Sequence, residues 1–251
     1  MSAFPQRPAR LNRTVGTPSY GGRVTIREPD GTIREPFAPA AMVPSQPVPS
    51  QAGPIVAGAI PRGRFHPLAA VSFVVVDVET TGWRPEESGI TEIGAVRFGS
   101  GMPAAEFSAL VNPGAPIPDS IAALTGITDS MVRQAPAVSA VMPGFLAFAR
   151  GCVVAAHNAP FDLGFLTAAC ASARLSWPAF EVVDTAAVAR AVLSETEVPD
   201  CKLATLAAFF RTRTLPCHRA LPDARATAEV LQALLRRLAS AGVRTLAEIS
   251  A

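Results

Sequence analysis

The chain has 251 residues, 24 of them proline, and a formal charge of +2. Twelve prolines and a balance of +5 (eight arginines against Glu28, Asp30 and Glu35) fall in the first 67 positions, while the remainder carries 14 basic and 17 acidic residues. That split excludes one uniform globule, because the opening stretch has too few large apolar side chains to offset its ordering entropy; the body, about 185 residues, suits one hydrophobic core.

Residues 1–66 are expected to be a Pro/Arg-rich disordered tail or linker, densest at Pro44-Ser45-Gln46-Pro47-Val48-Pro49. Within it Gly22–Arg27 alternates weakly, as a strand would, but the sequence names no partner for it. No apolar run approaches the ~18 residues that span a bilayer. Met1–Arg13 also lacks the apolar core of a secretory signal, so a cytoplasmic location is expected. The four cysteines contain no C-x-x-C pair, which argues against a zinc site or a disulfide framework.

The body opens at Ser72–Glu79, a β-branched apolar run closed by Thr80-Thr81-Gly82, read as a buried central strand. Strands follow at Ile90–Phe98 and Ala105–Asn112, with Gly99-Ser100-Gly101 as a hairpin turn. A short helix from Pro118 stops at Gly126, and a longer one covers Val138–Ala149 despite Pro143. Next come a strand at Cys152–Ala156, a helix at Phe161–Ala173, a strand at Val182–Asp184, and helices at Thr185–Leu193 and Leu203–Phe210. Asp223–Ser240 closes the chain as an amphipathic helix with Val230, Leu231, Leu234, Leu235 and Leu238 on one stripe. Three strands followed by alternating helix and strand predict an α/β fold, a mixed sheet flanked by helices.

Two acids stand out at the end of the first strand. Asp77 and Glu79 are two apart, so they point to one face and converge. Capping needs one acid, and two side by side repel unless a hard divalent cation such as Mg²⁺ or Mn²⁺ bridges them. Asp162 and Asp223 each sit at a helix start, where a carboxylate is common for its own reasons. Their order and company say more than either does singly.

Asp77-Val78-Glu79-Thr80-Thr81-Gly82, Leu124-Thr125-Gly126-Ile127-Thr128, His157-Asn158-Ala159-Pro160-Phe161-Asp162 and His218-Arg219-Ala220-Leu221-Pro222-Asp223-Ala224 together resemble the DEDD superfamily of 3′–5′ exonucleases, in its histidine branch, DEDDh. The resemblance spans about residues 70–238 and none of the tail. The sister branch carries a tyrosine four residues before the last aspartate; position 219 is arginine, and the one tyrosine is Tyr20.

The resemblance implies a ribonuclease H-like exonuclease domain over residues 70–240. It implies that Asp77, Glu79, Asp162 and Asp223 hold two Mg²⁺ or Mn²⁺ ions and that His218 is the general base. Thr80, Thr81, Ile127, Asn158 and Phe161 are the expected substrate contacts, Ile127 as a wedge beside the terminal base. His157 is not an expected ligand, and a hydrogen-bonded structural role is one reading of it.

The implied substrate is a single-stranded or frayed 3′ end of DNA, in proofreading or repair, with RNA as the alternative in the manner of an oligoribonuclease or tRNA-trimming enzyme. A DNA polymerase subunit is the implied partner, as for the epsilon proofreading subunit of bacterial DNA polymerase III. The sequence has no recognisable clamp-binding segment, and its end at Ala251 leaves no long C-terminal extension, so a free-standing exonuclease fits equally well. A non-catalytic polymerase-associated module is a further reading, disfavoured by the intact acids and His218.

Overall fold

The computed structural model describes residues 24–35, 67–100 and 104–249. In chain order these form β1 (Thr25–Arg27), β2 (Ile33–Arg34), β3 (Ser72–Thr80), β4 (Ile90–Gly99), β5 (Ala105–Leu110), α1 (Asp119–Thr125), α2 (Asp129–Val132) and α3 (Val138–Ala149). They continue with β6 (Val153–Ala156), α4 (Ala159–Ser172), β7 (Val182–Asp184), α5 (Thr185–Val192), α6 (Leu203–Phe210) and α7 (Ala220–Ser240). The strands form one mixed sheet in the order β2-β1-β5-β4-β3-β6-β7.

β3 is central because its sequence is apolar on both faces. Val74, Val76 and Val78 join one core with residues of α3 and α4, including Phe145 and Phe165. Phe73 and Val75 join the other, built against α7 through Val230, Leu231 and Leu234. β3 pairs antiparallel with β4 and parallel with β6, so the sheet changes direction beside it. Among the described residues no helix is long and apolar enough to cross a membrane.

The expectation of a disordered tail over residues 1–66 is corrected at one place. Thr25–Arg27 pairs antiparallel with Ser108, Phe107 and Glu106 of β5, and Ile33–Arg34 folds back on it. The missing partner of the weak Gly22–Arg27 alternation is the edge of β5, about eighty positions away, where unpaired N–H and C=O groups accept an added strand. Pro44–Pro49 lies outside the described residues. α2 was not expected at all; four residues are too short to show a helical period.

Candidate active site

The face on which an acid lies follows from the alternation along β3. Asp77 and Glu79 continue the Phe73–Val75 row and so point toward α7. Across the ladder Asp77 is opposite Gly94, and Glu79 is opposite Glu92. Gly94 decides how close α7 comes: a Cβ there would lie against the Leu221 nitrogen and the Ala220 carbonyl carbon. The start of α7 therefore rests on the bare backbone of β4, and Asp223 in its first turn is brought to the β3 acids. One carboxylate oxygen each of Asp77, Glu79 and Asp223 lies within 4.8 Å of the others.

Asp162 arrives from another direction. β6 pairs with β3 only as far as Val75 while β3 runs on to Thr80, so the far half of β3 has no strand on its β6 side. The first turn of α4 fills that place, and the Val78 N–H donates to Asp162 Oδ1 at 3.0 Å. Asp162 is thereby tied to the peptide between Asp77 and Glu79, outside the tight trio but beside it.

His218 is exposed, in a left-handed conformation with φ of 57°. The N–H groups of Cys217 and His218 donate to the two oxygens of Asp223 at 2.7 and 3.2 Å. On its other side, Arg219 forms a bidentate pair with Glu92 at 3.0 and 2.8 Å, and the Ala220 N–H donates to the same carboxylate at 2.9 Å.

Burial pushes Asp77 well above the usual carboxylate range, and the neighbouring Asp162, Glu79 and Asp223 push it further. Burial, then the charges of Asp223, Glu92 and Asp162, raise Glu79 to about 8, against the opposing pull of Arg219. Asp162 is raised to about 7 by burial, against the Val78 N–H, which favours its charge. Asp223 is also raised by burial, opposed by the N–H groups of Cys217 and His218. Four carboxyls this close cannot all ionise cheaply without a countercharge, and oxygen donors in this arrangement fit hard divalent cations.

Residues 74–231 match the family model RNase_T, described as an exonuclease. The chain belongs to this exonuclease family. Over 189 residues the chain is 49% identical to a protein of Mycobacterium tuberculosis (strain CDC 1551 / Oshkosh) named as a bifunctional exonuclease/endonuclease, covering 72% of this chain and 29% of that one. It is 36% identical to the DNA polymerase III subunit epsilon of Treponema pallidum over 165 residues, 66% of this chain and 77% of that protein. A solved structure of exonuclease X in complex with 5′ overhanging duplex DNA aligns with a TM-score of 0.52 and 27% identity, over 68% of this chain and 93% of that one. The chain thus spans less than a third of the mycobacterial relative.

The expected substrate contacts divide in two. Ile127 is corrected: it is fully buried among Leu110, Ile117 and Val132, and a side chain in that cluster cannot wedge against a base. Gly126, left-handed at the end of α1, turns the chain so that Ile127 points inward, while Leu124 is 44% exposed on the same segment. Thr80 is buried and its hydroxyl donates to the Gly82 carbonyl. Thr81 clasps Gly89 with both its N–H and its hydroxyl oxygen, which leaves that N–H unavailable to a nucleotide. These threonines shape the turn behind Glu79.

Asn158 is exposed in a left-handed conformation, its own N–H held by Asp184, and Phe161 is half-buried one residue before Asp162. Phe161 packs edge-on to Trp83 at 6.1 Å between ring centroids, and Trp83 is 75% exposed. His157 Nδ1 lies 2.9 Å from the Thr185 hydroxyl, a link between the ends of β6 and α5. Trp83, Glu92 and Arg219 were not among the sequence-predicted site residues. Glu92 had a signal: a charged side chain inside an apolar strand that the sheet buries.

Proposed function

We propose that this chain removes nucleotides from the 3′ end of DNA, with two Mg²⁺ or Mn²⁺ ions held by Asp77, Glu79, Asp162 and Asp223. The observation that carries the reading is the convergence of Asp77, Glu79 and Asp223 within 4.8 Å in a partly buried setting. Two divalent ions, when bound, supply charge relief to both the attacking and the leaving oxygen of a phosphodiester. His218, exposed at the rim, takes the proton of the attacking water as general base. Asn158, Phe161 and the exposed ring of Trp83 offer a surface for the unpaired end of the strand, through stacking that reads no particular base.

In this reading residues 70–240 are the exonuclease domain, extended at one sheet edge by Thr25–Arg34, and the protein works in the cytoplasm. The relative named DNA polymerase III subunit epsilon supports a replication or repair setting with a polymerase as partner. Matched 3′-terminal DNA and RNA oligonucleotides, digested side by side with Mn²⁺, Mg²⁺ and EDTA, test the substrate. Metal-dependent release of mononucleotides from single-stranded DNA is the expected result. Preference for the RNA strand overturns the DNA assignment, and no hydrolysis of either overturns the enzyme.

A further inference from the structure

The His218 loop has a second anchor that is independent of the acids proposed as ligands. Glu92 is 4% exposed, yet three donors meet its carboxylate: Arg219 Nε, Arg219 Nη2 and the Ala220 N–H, at 3.0, 2.8 and 2.9 Å. A buried carboxylate with its lone pairs taken up in this way is fixed in position, and the flat guanidinium fork is fixed with it. Arg219 and Ala220 directly follow His218, whose φ of 57° is a conformation that a residue with a Cβ adopts at a cost. Something must hold it there.

On the N-terminal side, Cys217 and His218 N–H groups bind Asp223, and on the C-terminal side the Arg219 pair binds Glu92. Gly94, two residues along β4 from Glu92, admits the backbone of Ala220 and Leu221 against the sheet. The left-handed turn is therefore pinned at both ends by different elements, Asp223 of the helix α7 and Glu92 of the strand β4.

Resting on the reading of His218 as general base, we propose that Glu92 and Arg219 are positioning residues for His218: their ion pair holds the left-handed turn that presents the imidazole beside the clustered acids. Neither residue touches substrate in this scheme. Arg219 has spent Nε and Nη2 on Glu92, and Glu92 is covered. Their effect passes through one side chain, and this makes the claim separable from a role in folding or in holding the substrate.

The test is a double-mutant cycle on steady-state 3′-end digestion of single-stranded DNA at saturating Mn²⁺, with thermal melts of each variant. Arg219→Ala is expected to lower kcat about 10²-fold, as loss of positioning does, with KM within about threefold of the parent. Arg219→Lys, which keeps the charge without the fork, falls between. In a His218→Ala background, Arg219→Ala should change kcat by less than about twofold, since the group it positions is gone. If Arg219→Ala does not fold, Glu92→Gln carries the same cycle with the shape of the side chain retained.

Losses that multiply in the His218→Ala background overturn the proposal, because they reveal a direct contact or a general structural role. An unchanged kcat in Arg219→Ala overturns it as well. The failures are distinguishable: a His218→Ala protein as active as the parent removes the general-base reading itself, whereas an inactive one with multiplying losses removes only the clamp.

Discussion

Gly94 lies opposite Asp77 in the β3–β4 ladder, and its missing side chain is the space into which the start of α7 descends. The contact is backbone on backbone, so a Cβ there has no flexible neighbour to displace. Gly94→Ala is expected to lift α7 from β4, separate Asp223 from Asp77, and destabilise the fold by about 1–3 kcal/mol or more, as overpacking does. A thermal melt and a Mn²⁺ titration check it: both Tm and cation affinity should fall. A variant with unchanged cation affinity would show that the trio does not depend on this approach.

Asp162 separates two duties by substitution. Asp162→Asn keeps an oxygen for the Val78 N–H but removes the charge, so the fold should hold while cation binding and activity are lost. Asp162→Ala also strands the Val78 N–H, adding about 1–3 kcal/mol of instability. Calorimetric unfolding of both variants should place the alanine variant below the asparagine variant by that margin.

The raised acids fix the sign of a pH dependence. Glu79 and Asp162 titrate at about 8 and about 7 in the fold, against 4.5 and 3.8 for the free groups. The folded state holds these protons more tightly, so their contribution to stability is full below about pH 4 and is lost as pH rises to about 8. Cation binding displaces the same protons, and hence the Tm gained on adding Mn²⁺ should be larger at pH 8 than at pH 6, and EDTA should abolish it. Melts across that range decide it; a metal-free Tm that rises with pH contradicts the account.

Trp83 stands 75% exposed beside Phe161. Trp83→Ala should weaken binding of single-stranded DNA by about 1–3 kcal/mol, the value of one stacked base, while kcat stays near that of the parent. Fluorescence anisotropy with a labelled oligonucleotide measures the first and steady-state digestion the second.

Much of this architecture was legible in the sequence because its signals are local. Val182–Asp184, Leu203–Phe210 and Val138–Ala149 have the bounds their apolar patterns indicate. The pairing of Asp77 with Glu79 needs only the period of a strand. What stayed hidden depends on register and on distant partners. Glu92 meets Arg219 across 127 positions, and nothing in either neighbourhood announces the other. Gly94 reads as an ordinary glycine until the ladder sets it opposite Asp77. Ile127 was misread because a glycine at a helix end does not reveal which way the next side chain turns. α7 begins at Ala220, ahead of the expected Asp223, because Pro222 is tolerated in a first turn.

In the proposed reaction Asp77, Glu79, Asp162, Asp223 and His218 hydrolyse the 3′-terminal phosphodiester together with divalent cations. It is tested most directly by the single-turnover rate of mononucleotide release from 3′-labelled single-stranded DNA with Mn²⁺, measured for the parent chain and for Asp77→Ala. The predicted result is rapid, EDTA-sensitive release by the parent and a loss of about 10³-fold or more in the variant. Release by Asp77→Ala at the parental rate would contradict it.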